Sequence, residues 1–303
     1  MIPAELEHPA LEQTPHFIQW VEALRKQTRT GEWRRYVRQS PEILNWRYFL
    51  SHDPYTRWGL LKPRGFAGDA RVMDFAYRHR VVEPLVRHSG DLGEALYRQT
   101  SGSVQSESAR LRIQLIAEEL EAFCTGERQA RIASYACGHG RELELLSSSC
   151  RSNIELFCGI DTDQFALKDI LDSIGDIPHQ LVNRNVFRYS PLDGEGFDFV
   201  YSLGLFDYLT MKQSRFLCQR MAEAVQPGGK LLIANLDPDA ANLGYCEAIM
   251  DWWMIPKSKN DFEELASLLG DDFESVQITR SGCFNYLVCK KLLHKSNTLQ
   301  ATT

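Results

Sequence analysis

The sequence lacks any cysteine or histidine motif that would bind zinc or build a disulfide framework. Eight cysteines occur in 303 residues, but none forms a C-x-x-C pair, and several lie in apolar segments such as Leu287-Val288-Cys289. Buried free thiols of this kind are typical of proteins of the reducing cytosol. The eight histidines show neither paired spacing nor an H-E-x-x-H motif. We therefore expect a cytoplasmic protein without a metal site.

Long hydrophobic segments and an excess of basic residues are absent as well. No stretch of about 18 apolar residues is available to span a bilayer, and the first residues lack the basic start and apolar run of a signal peptide. The net charge is −6, whereas proteins that bind nucleic acid usually carry a basic excess. We expect neither a membrane nor nucleic acid as a partner. The sequence does not indicate an oligomeric state.

The chain divides into two parts with different patterns. In residues 1–103, apolar side chains such as Phe17 and Val21 recur at helical spacing. A short polar break at residues 101–103 ends this part. We therefore predict a helical N-terminal cap over residues 1–103 and a second domain over residues 104–303.

In the second domain, strands alternate with helices. Such alternation predicts a doubly wound, Rossmann-like parallel sheet with helices on both faces. A turn at residues 280–283 predicts that the chain ends in an antiparallel hairpin. The predicted strands are residues 131–137, 155–160, 180–187, 197–202 and 230–235, and the hairpin strands are residues 275–279 and 284–290.

A glycine-containing turn, here called the glycine turn (residues 136–142), follows the first strand. Glycines at such a turn let the backbone approach a ligand closely. Asp161 stands 21 residues after Gly140, at the tip of the second strand, where an acidic residue accepts hydrogen bonds from ribose hydroxyls. Glu142 occupies the start of the next helix, where it would repel a pyrophosphate but can bind the ammonium group of a methionine tail. The pattern therefore favours S-adenosylmethionine over a dinucleotide.

Two further segments resemble the class I S-adenosylmethionine-dependent methyltransferases. They are the fourth strand with its extension, residues 197–209, and the turn and strand of residues 227–233. This resemblance implies that the ends of strands three and four also contact the cofactor. The predicted cofactor-binding residues are Ala136, Cys137, Gly138, Gly140, Glu142, Asp161, Thr162, Asn185, Val186, Ser202, Leu203 and Gly204.

Longer motifs resemble a bacterial methyltransferase-like group related to the biosynthesis of 3-hydroxypalmitic acid methyl ester, a quorum signal. They are DPYT (53–56), KPRGFAGD (62–69), SYACG (134–138), SLGLFDYL (202–209) and DWW (251–253). The resemblance implies methyl transfer to a small organic acceptor in secondary metabolism or signalling. The chain departs from this group after Trp253, where it reads Met254-Ile255-Pro256, so the acceptor need not be a fatty acid.

The same architectural group includes enzymes that cyclise S-adenosylmethionine to azetidine-2-carboxylate and release methylthioadenosine. Such an enzyme would act on S-adenosylmethionine alone and need no acceptor. A module that binds the cofactor without catalysis is a third alternative. The intact glycine turn and the acid at position 161 argue against it.

Four residues are candidates for catalysis. Tyr208 and Asp207 follow the fourth strand, whose tip should face the sulfonium group in an open α/β sheet. Arg64 and Tyr55 belong to the motifs of the cap that should cover the site. The alternative for Asp207 is a helix cap, and for Tyr208 and Tyr55 it is packing in the core.

Overall fold

The computed structural model describes residues 9–124, 129–188 and 196–293, and within them seven strands form one sheet. Its order is β3-β2-β1-β4-β5-β7-β6. Strands β1 to β5 run parallel, whereas β7 is antiparallel to both β5 and β6. The predicted class I methyltransferase topology with its C-terminal hairpin is confirmed. The strands are β1 Ala130–Tyr135, β2 Ile154–Asp161, β3 His179–Asn183, β4 Phe197–Ser202, β5 Val225–Leu236, β6 Phe273–Ser281 and β7 Phe284–Lys291.

The described residues up to position 103 form mainly helices, as predicted, and further helices cover the sheet. The helices of the cap are α1 Pro9–Gln27, α2 Thr30–Gln39, α3 Pro41–Leu50, α4 Pro54–Leu61, α5 Ala70–Tyr77, α6 Glu83–His88 and α7 Gly90–Ser101. Those that follow are α8 Val104–Phe123, α9 Ser148–Ser152, α10 Gln164–Asp169, α11 Leu171–Ile174, α12 Met211–Ala224, α13 Leu243–Ala248 and α14 Lys259–Ser267. No helix among the described residues is long and apolar enough to cross a membrane.

The third strand is shorter than the sequence predicts. It ends at Asn183, whereas the predicted strand continued to Phe187. The side chain of Asn185 accepts a hydrogen bond from the backbone N–H of Phe187 at 2.9 Å. An asparagine that bonds its own backbone two residues ahead offers the chain a turn in place of a strand ladder. The segment after Asn183 therefore leaves the strand ladder.

The predicted boundary at residue 103 falls between α7 and α8. One buried cluster nevertheless contains side chains from both parts, among them Val21 and Phe75 of the cap and Phe157 and Tyr201 of the sheet. The division into two domains stays a prediction. The cap and one face of the sheet share a continuous core.

The segment that follows β5 packs against the cap. Glu247 of α13 is buried and accepts hydrogen bonds from Arg25 Nε at 2.9 Å and from Trp33 Nε1 at 2.6 Å. Glu22 accepts a bond from the N–H of Gly244 at 2.8 Å. These contacts link α1 and α2 to α13, so the cap is joined to the end of the sheet through a buried, charge-assisted network.

Removal of the Glu247 carboxylate should therefore destabilise the whole chain. We expect Glu247→Ala to lower the free energy of unfolding by about 2–3 kcal/mol, because hydrogen bonds to charged groups contribute roughly 1.5–3 kcal/mol and the buried indole N–H would lose its acceptor. Urea denaturation followed by circular dichroism measures this. Glu83→Ala is the control, since Glu83 forms an exposed pair with Arg87, and such pairs contribute about 0.2–1 kcal/mol. Equal destabilisation by the two variants would contradict the assignment.

Candidate cofactor site

A cavity of about 450 Å³, here called the central cavity, lies at the carboxyl ends of β1, β2 and β4. The chain reverses its direction of progress through the sheet between β1 and β4, and ligands of open α/β sheets bind at such a switch point. Most of the predicted site residues meet here. Those that line the cavity are Ala136, Cys137, Gly138, Gly140, Glu142, Asp161, Thr162, Leu203, Gly204, Asp207 and Tyr208.

The glycine turn owes its shape to three left-handed residues. Ala136, Gly138 and Gly140 have φ angles of 57°, 53° and 57°. At Gly140, an added Cβ would stand 2.9 Å from the side chain of Ile170, so the turn packs directly on the helix layer. Ala136 carries a Cβ in this conformation, which costs about 1–2 kcal/mol. Packing against the neighbouring helices, as at Ile170, therefore stabilises the conformation of the turn.

Asp161 is fixed by the glycine turn that it faces. One carboxylate oxygen accepts from the N–H of Gly138 and the other from the N–H of Asp163, each at 2.9 Å. Burial raises the pKa of Asp161, and the two amide bonds oppose that rise. Each carboxylate oxygen has a second lone pair. The group is therefore already oriented to accept two hydroxyl groups from the cavity.

Glu142 is a buried carboxylate on the cavity wall. It accepts a hydrogen bond of 2.6 Å from the Tyr201 hydroxyl. Burial raises the pKa of Glu142, against the effect of this bond and of the positive charge of Arg112. An ionised buried carboxylate needs a positive partner, and an ammonium group bound in the cavity would supply one.

Arg112 of α8 lines the same cavity and was not predicted from the sequence. It is 3% exposed. Its Nη1 donates to the carbonyl of Leu203 at 2.7 Å, and its guanidinium group stacks 4.3 Å from the Phe284 ring centroid. Its Nε has no hydrogen-bond partner, and it forms no ion pair within the described residues. The sequence did contain an indication that Arg112 is buried, because it stands at helical spacing with the apolar residues Ala109 and Ile116.

The cap closes the cavity through the loop of residues 62–69, here called the cap loop. Phe66 and Gly68 of this loop line the cavity, as predicted for a segment facing the cleft. Trp252 Nε1 donates to the Tyr208 hydroxyl at 2.8 Å. A Cβ built on Gly68 would lie 1.6 Å from that hydroxyl oxygen, so only glycine fits. The cap loop therefore rests directly on the Tyr208–Trp252 pair.

The two ends of the cap loop are anchored. Asp69 is buried and accepts a hydrogen bond from Trp58 Nε1 at 2.9 Å. Lys62 forms an ion pair with Asp251, which directly precedes Trp252. The loop is thus attached both to the cap and to the segment after β5.

Asp207 holds the end of β5 in addition to lining the cavity. Its Oδ1 accepts from the N–H of Leu236 at 2.7 Å and from the side-chain amide of Asn235. Burial raises its pKa, while the positive charges of Arg112 and Lys257 oppose this. These contacts make Asp207 a positioning residue for the turn that carries Tyr208.

The other two catalytic candidates lie outside the cavity wall. Arg64 donates to Asp163 at 2.9 Å and to Asp169 at 3.0 Å, so it fastens the cap loop to α10. Tyr55 is buried against Phe75, with 6.1 Å between the ring centroids. The DPYT motif is the start of α4, because Asp53 accepts from the N–H of Tyr55 at 3.0 Å, which is the geometry of an N-cap.

Three predicted cofactor contacts also lie away from the cavity. Asn185 is exposed in the turn after β3, and Val186 packs in the core beneath the sheet. Ser202 is fully buried and donates to the carbonyl of Tyr135 at 2.9 Å, which joins β4 to β1. Strand-end residues were expected to face the ligand, but the early end of β3 moves the first two away from it.

Comparisons with known proteins agree with this geometry. Residues 134–233 match the family model of a methyltransferase domain. The fold is similar to that of a protein from Bordetella parapertussis described as a possible exported protein, at 18% identity and a TM-score of 0.60, over 74% of this chain and 79% of that one. No curated protein matches the chain.

Two methyltransferases of known structure are more distant. The N-methyltransferase NodS from Bradyrhizobium japonicum WM9 is 16% identical over 61% of this chain and 87% of its own, with a TM-score of 0.45. Magnesium protoporphyrin IX methyltransferase from Synechocystis PCC 6803 is 12% identical over 69% and 98%, with a TM-score of 0.48.

The family match begins in β1 and ends in β5. It therefore contains the glycine turn, Asp161 and Tyr208, which build most of the cavity. The cap and the C-terminal hairpin lie outside the match. We conclude that this chain carries an S-adenosylmethionine-dependent methyltransferase domain of the class I fold.

Proposed function

We propose that the protein transfers a methyl group from S-adenosylmethionine to a small organic acceptor, in bacterial secondary metabolism or signalling. The central cavity carries this proposal. Its volume of about 450 Å³ is at the lower end of the roughly 300–1,000 Å³ range of ligand pockets, and the cap loop covers it. The resemblance to the group related to 3-hydroxypalmitic acid methyl ester supports a role in secondary metabolism. All eight cysteines are free and buried, which supports a cytosolic location.

Asp161 would bind the ribose of the cofactor. The N–H groups of Gly138 and Asp163 hold both carboxylate oxygens, so the acid needs no rearrangement when the ribose hydroxyls arrive. Preorganised acceptors of this kind lose little conformational entropy on binding. Thr162 and Gly138 would border the same part of the cofactor.

Glu142 and Arg112 would bind the two charges of the methionine tail. The tail is a zwitterion, with an ammonium and a carboxylate group. The cavity wall presents a buried carboxylate at Glu142 and a buried guanidinium at Arg112. Their charges act on each other, but no ion pair within 4 Å joins them among the described residues. Because each lacks an opposite charge in direct contact, the zwitterion would compensate both.

The Tyr208–Trp252 pair and Phe66 would surround the reactive end. S-adenosylmethionine, when bound, supplies an electrophilic methyl group on a sulfonium cation, and aromatic rings stabilise such cations. A phenol is protonated at neutral pH, and desolvation raises the pKa of the Tyr208 phenol further. Its oxygen accepts from Trp252, which leaves its own proton free to orient an acceptor. The cap loop would exclude water and hold the reactants together.

The nucleoside product tests the proposed reaction. We expect the enzyme to convert S-adenosylmethionine to S-adenosylhomocysteine when an acceptor is supplied, and to release no methylthioadenosine. Chromatography with mass spectrometry separates the two nucleosides. Methylthioadenosine formed from S-adenosylmethionine alone would contradict methyl transfer. Its formation cleaves the bond between the sulfur and the γ-carbon of the methionine tail, as in cyclisation of the cofactor, and leaves the methyl group on the sulfur.

Binding of two related ligands should separate the roles of Arg112 and Asp161. We expect Arg112→Met to weaken S-adenosylhomocysteine at least tenfold in calorimetry, because a charge-assisted hydrogen bond contributes roughly 1.5–3 kcal/mol. Affinity for the decarboxylated analogue, which keeps the amine, should not change. Asp161→Asn should weaken both ligands, because both contain the ribose.

Equal loss of both ligands in Arg112→Met would mean that Arg112 only supports the fold of the site. Equal affinity of Asp161→Asn and the wild type would remove the ribose assignment. The thermal midpoint of each variant without ligand controls for damage to the fold.

Tyr208→Phe should impair turnover without impairing cofactor binding. The change keeps the ring and removes the oxygen that accepts from Trp252 and faces the acceptor. We expect kcat for nucleoside production to fall more than tenfold while the Kd of S-adenosylhomocysteine stays near the wild-type value, since the lost contact acts in the transition state. Tyr48→Phe is the matched control, because Tyr48 is 76% exposed. Wild-type turnover in Tyr208→Phe would leave Tyr208 as a packing residue.

A further inference from the structure

A second concave site, here called the arginine groove, lies back to back with the central cavity. It has a volume of about 670 Å³ and opens on the outer surface between the end of α5, the helix α8 and the turn after residue 140. Tyr77 and Arg141 line both the groove and the central cavity. The ionisable residues of the groove are Arg78, His79, Arg80, Arg110, Arg141, Arg151, Glu144 and Asp172.

Most of these arginines are held by neutral oxygen atoms. Arg78 Nε donates to the Ser101 hydroxyl at 3.0 Å, and Arg110 Nη1 donates to the carbonyls of Ala76 at 2.6 Å and of Ser101 at 3.0 Å. Arg151 is bound in the same way, by the carbonyl of Leu143 at 2.7 Å. Within the described residues, none of these three arginines forms an ion pair. Their guanidinium groups are therefore oriented without a carboxylate in direct contact, and Arg110 is partly compensated from a distance, by Glu107.

The carboxylates of the groove do not neutralise this charge. Glu144 accepts from Arg141 at 2.6 Å, from Ser173 at 2.7 Å and from His79 at 3.0 Å, so its lone pairs are largely occupied. Asp172 is exposed at the rim. Five arginines thus converge with two carboxylates in a protein whose net charge is −6. A cleft in which one sign of charge predominates concentrates counter-ions of the opposite sign.

Arg80 completes the set of unpaired arginines. It lies in the short helical turn that follows α5 and is exposed, and its guanidinium group makes no hydrogen bond in the part of the chain that the structure describes. Together with Arg78 and Arg110 it brings donors from separate elements to one concavity. A planar carboxylate is satisfied by one or two guanidinium groups, whereas the three outer oxygens of a phosphate accept from several directions.

We propose that the arginine groove binds a small molecule that carries a phosphate group. Ile113 and Leu145 also line the groove, so its walls have room for an organic portion beside the phosphate. Arg141 follows Gly140 in the glycine turn and donates to Asp74 at 2.8 Å. An anion in the groove would therefore lie directly behind the turn that binds the cofactor.

Inorganic pyrophosphate is the probe for this site. Calorimetry should show saturable binding of pyrophosphate to the full chain, with and without saturating S-adenosylhomocysteine. We expect Arg80→Met to weaken this binding about tenfold, since a charge-assisted hydrogen bond contributes roughly 1.5–3 kcal/mol and 1.4 kcal/mol is a factor of ten. Arg57→Met is the matched control, because Arg57 is an exposed arginine of α4 that does not line the groove.

Four results would overturn the proposal. They are the absence of saturable binding, equal weakening by Arg57→Met and Arg80→Met, displacement of pyrophosphate by S-adenosylhomocysteine, and equal affinity for malonate and pyrophosphate. The second would indicate diffuse attraction to surface charge, and the third would place the anion in the central cavity. The last would show that the groove binds carboxylates as tightly as phosphates. Arg78→Lys provides a further check, because it keeps the charge but removes the fork of donors and should weaken pyrophosphate. Its thermal midpoint without ligand measures the loss of the Ser101 contact.

Discussion

The buried carboxylate of Asp74 joins the cap to the glycine turn, and both ligand sites depend on it. Asp74 lies in α5 and accepts from Arg141 Nε and from His139 Nδ1, each at 2.8 Å. Burial alone would raise its pKa, but these two partners lower it below the usual value. A carboxylate whose pKa is lower in the folded state stabilises the fold at neutral pH, and this contribution is lost as the pH falls through the folded-state pKa. Acid should therefore loosen the cap from the turn.

The central cavity and the arginine groove differ in the sign of the charges that line them, although they share a wall. The cavity presents charges of both signs, with Glu142 and Asp161 facing the same space as Arg112, and this suits a zwitterion attached to a ribose. The groove is dominated by arginines, which suits an anion. Arg141 separates the two sites, and its bonds to Asp74 and Glu144 neutralise it. The two proposals together would place two ligands of different charge on opposite sides of Arg141.

The sheet and the glycine turn were predictable because their signals are local. Apolar strands alternate with helices, and the spacing from Gly140 to Asp161 follows from the length of one helix and one strand. Asn185, Ser202 and Tyr55 do not line the central cavity. Asn185 forms a turn with its own backbone, whereas Ser202 bonds the neighbouring strand and Tyr55 packs against Phe75, and these two contacts depend on the tertiary fold. Arg112 and the arginine groove depend on which helix faces which loop. These contacts depend on tertiary packing, which sequence patterns do not show. The sequence indicated them only through Arg112, an arginine on an apolar helix face.

Gly68 has a consequence for how this protein can evolve. A Cβ built on Gly68 would collide with the Tyr208 hydroxyl and would lie 2.8 Å from Trp252 Nε1. A substitution at position 68 is therefore tolerable only together with a smaller residue at position 208 and with room made at position 252. The three positions should change as a set among related chains. Divergence in acceptor preference would then proceed through compensated pairs of substitutions rather than through single steps.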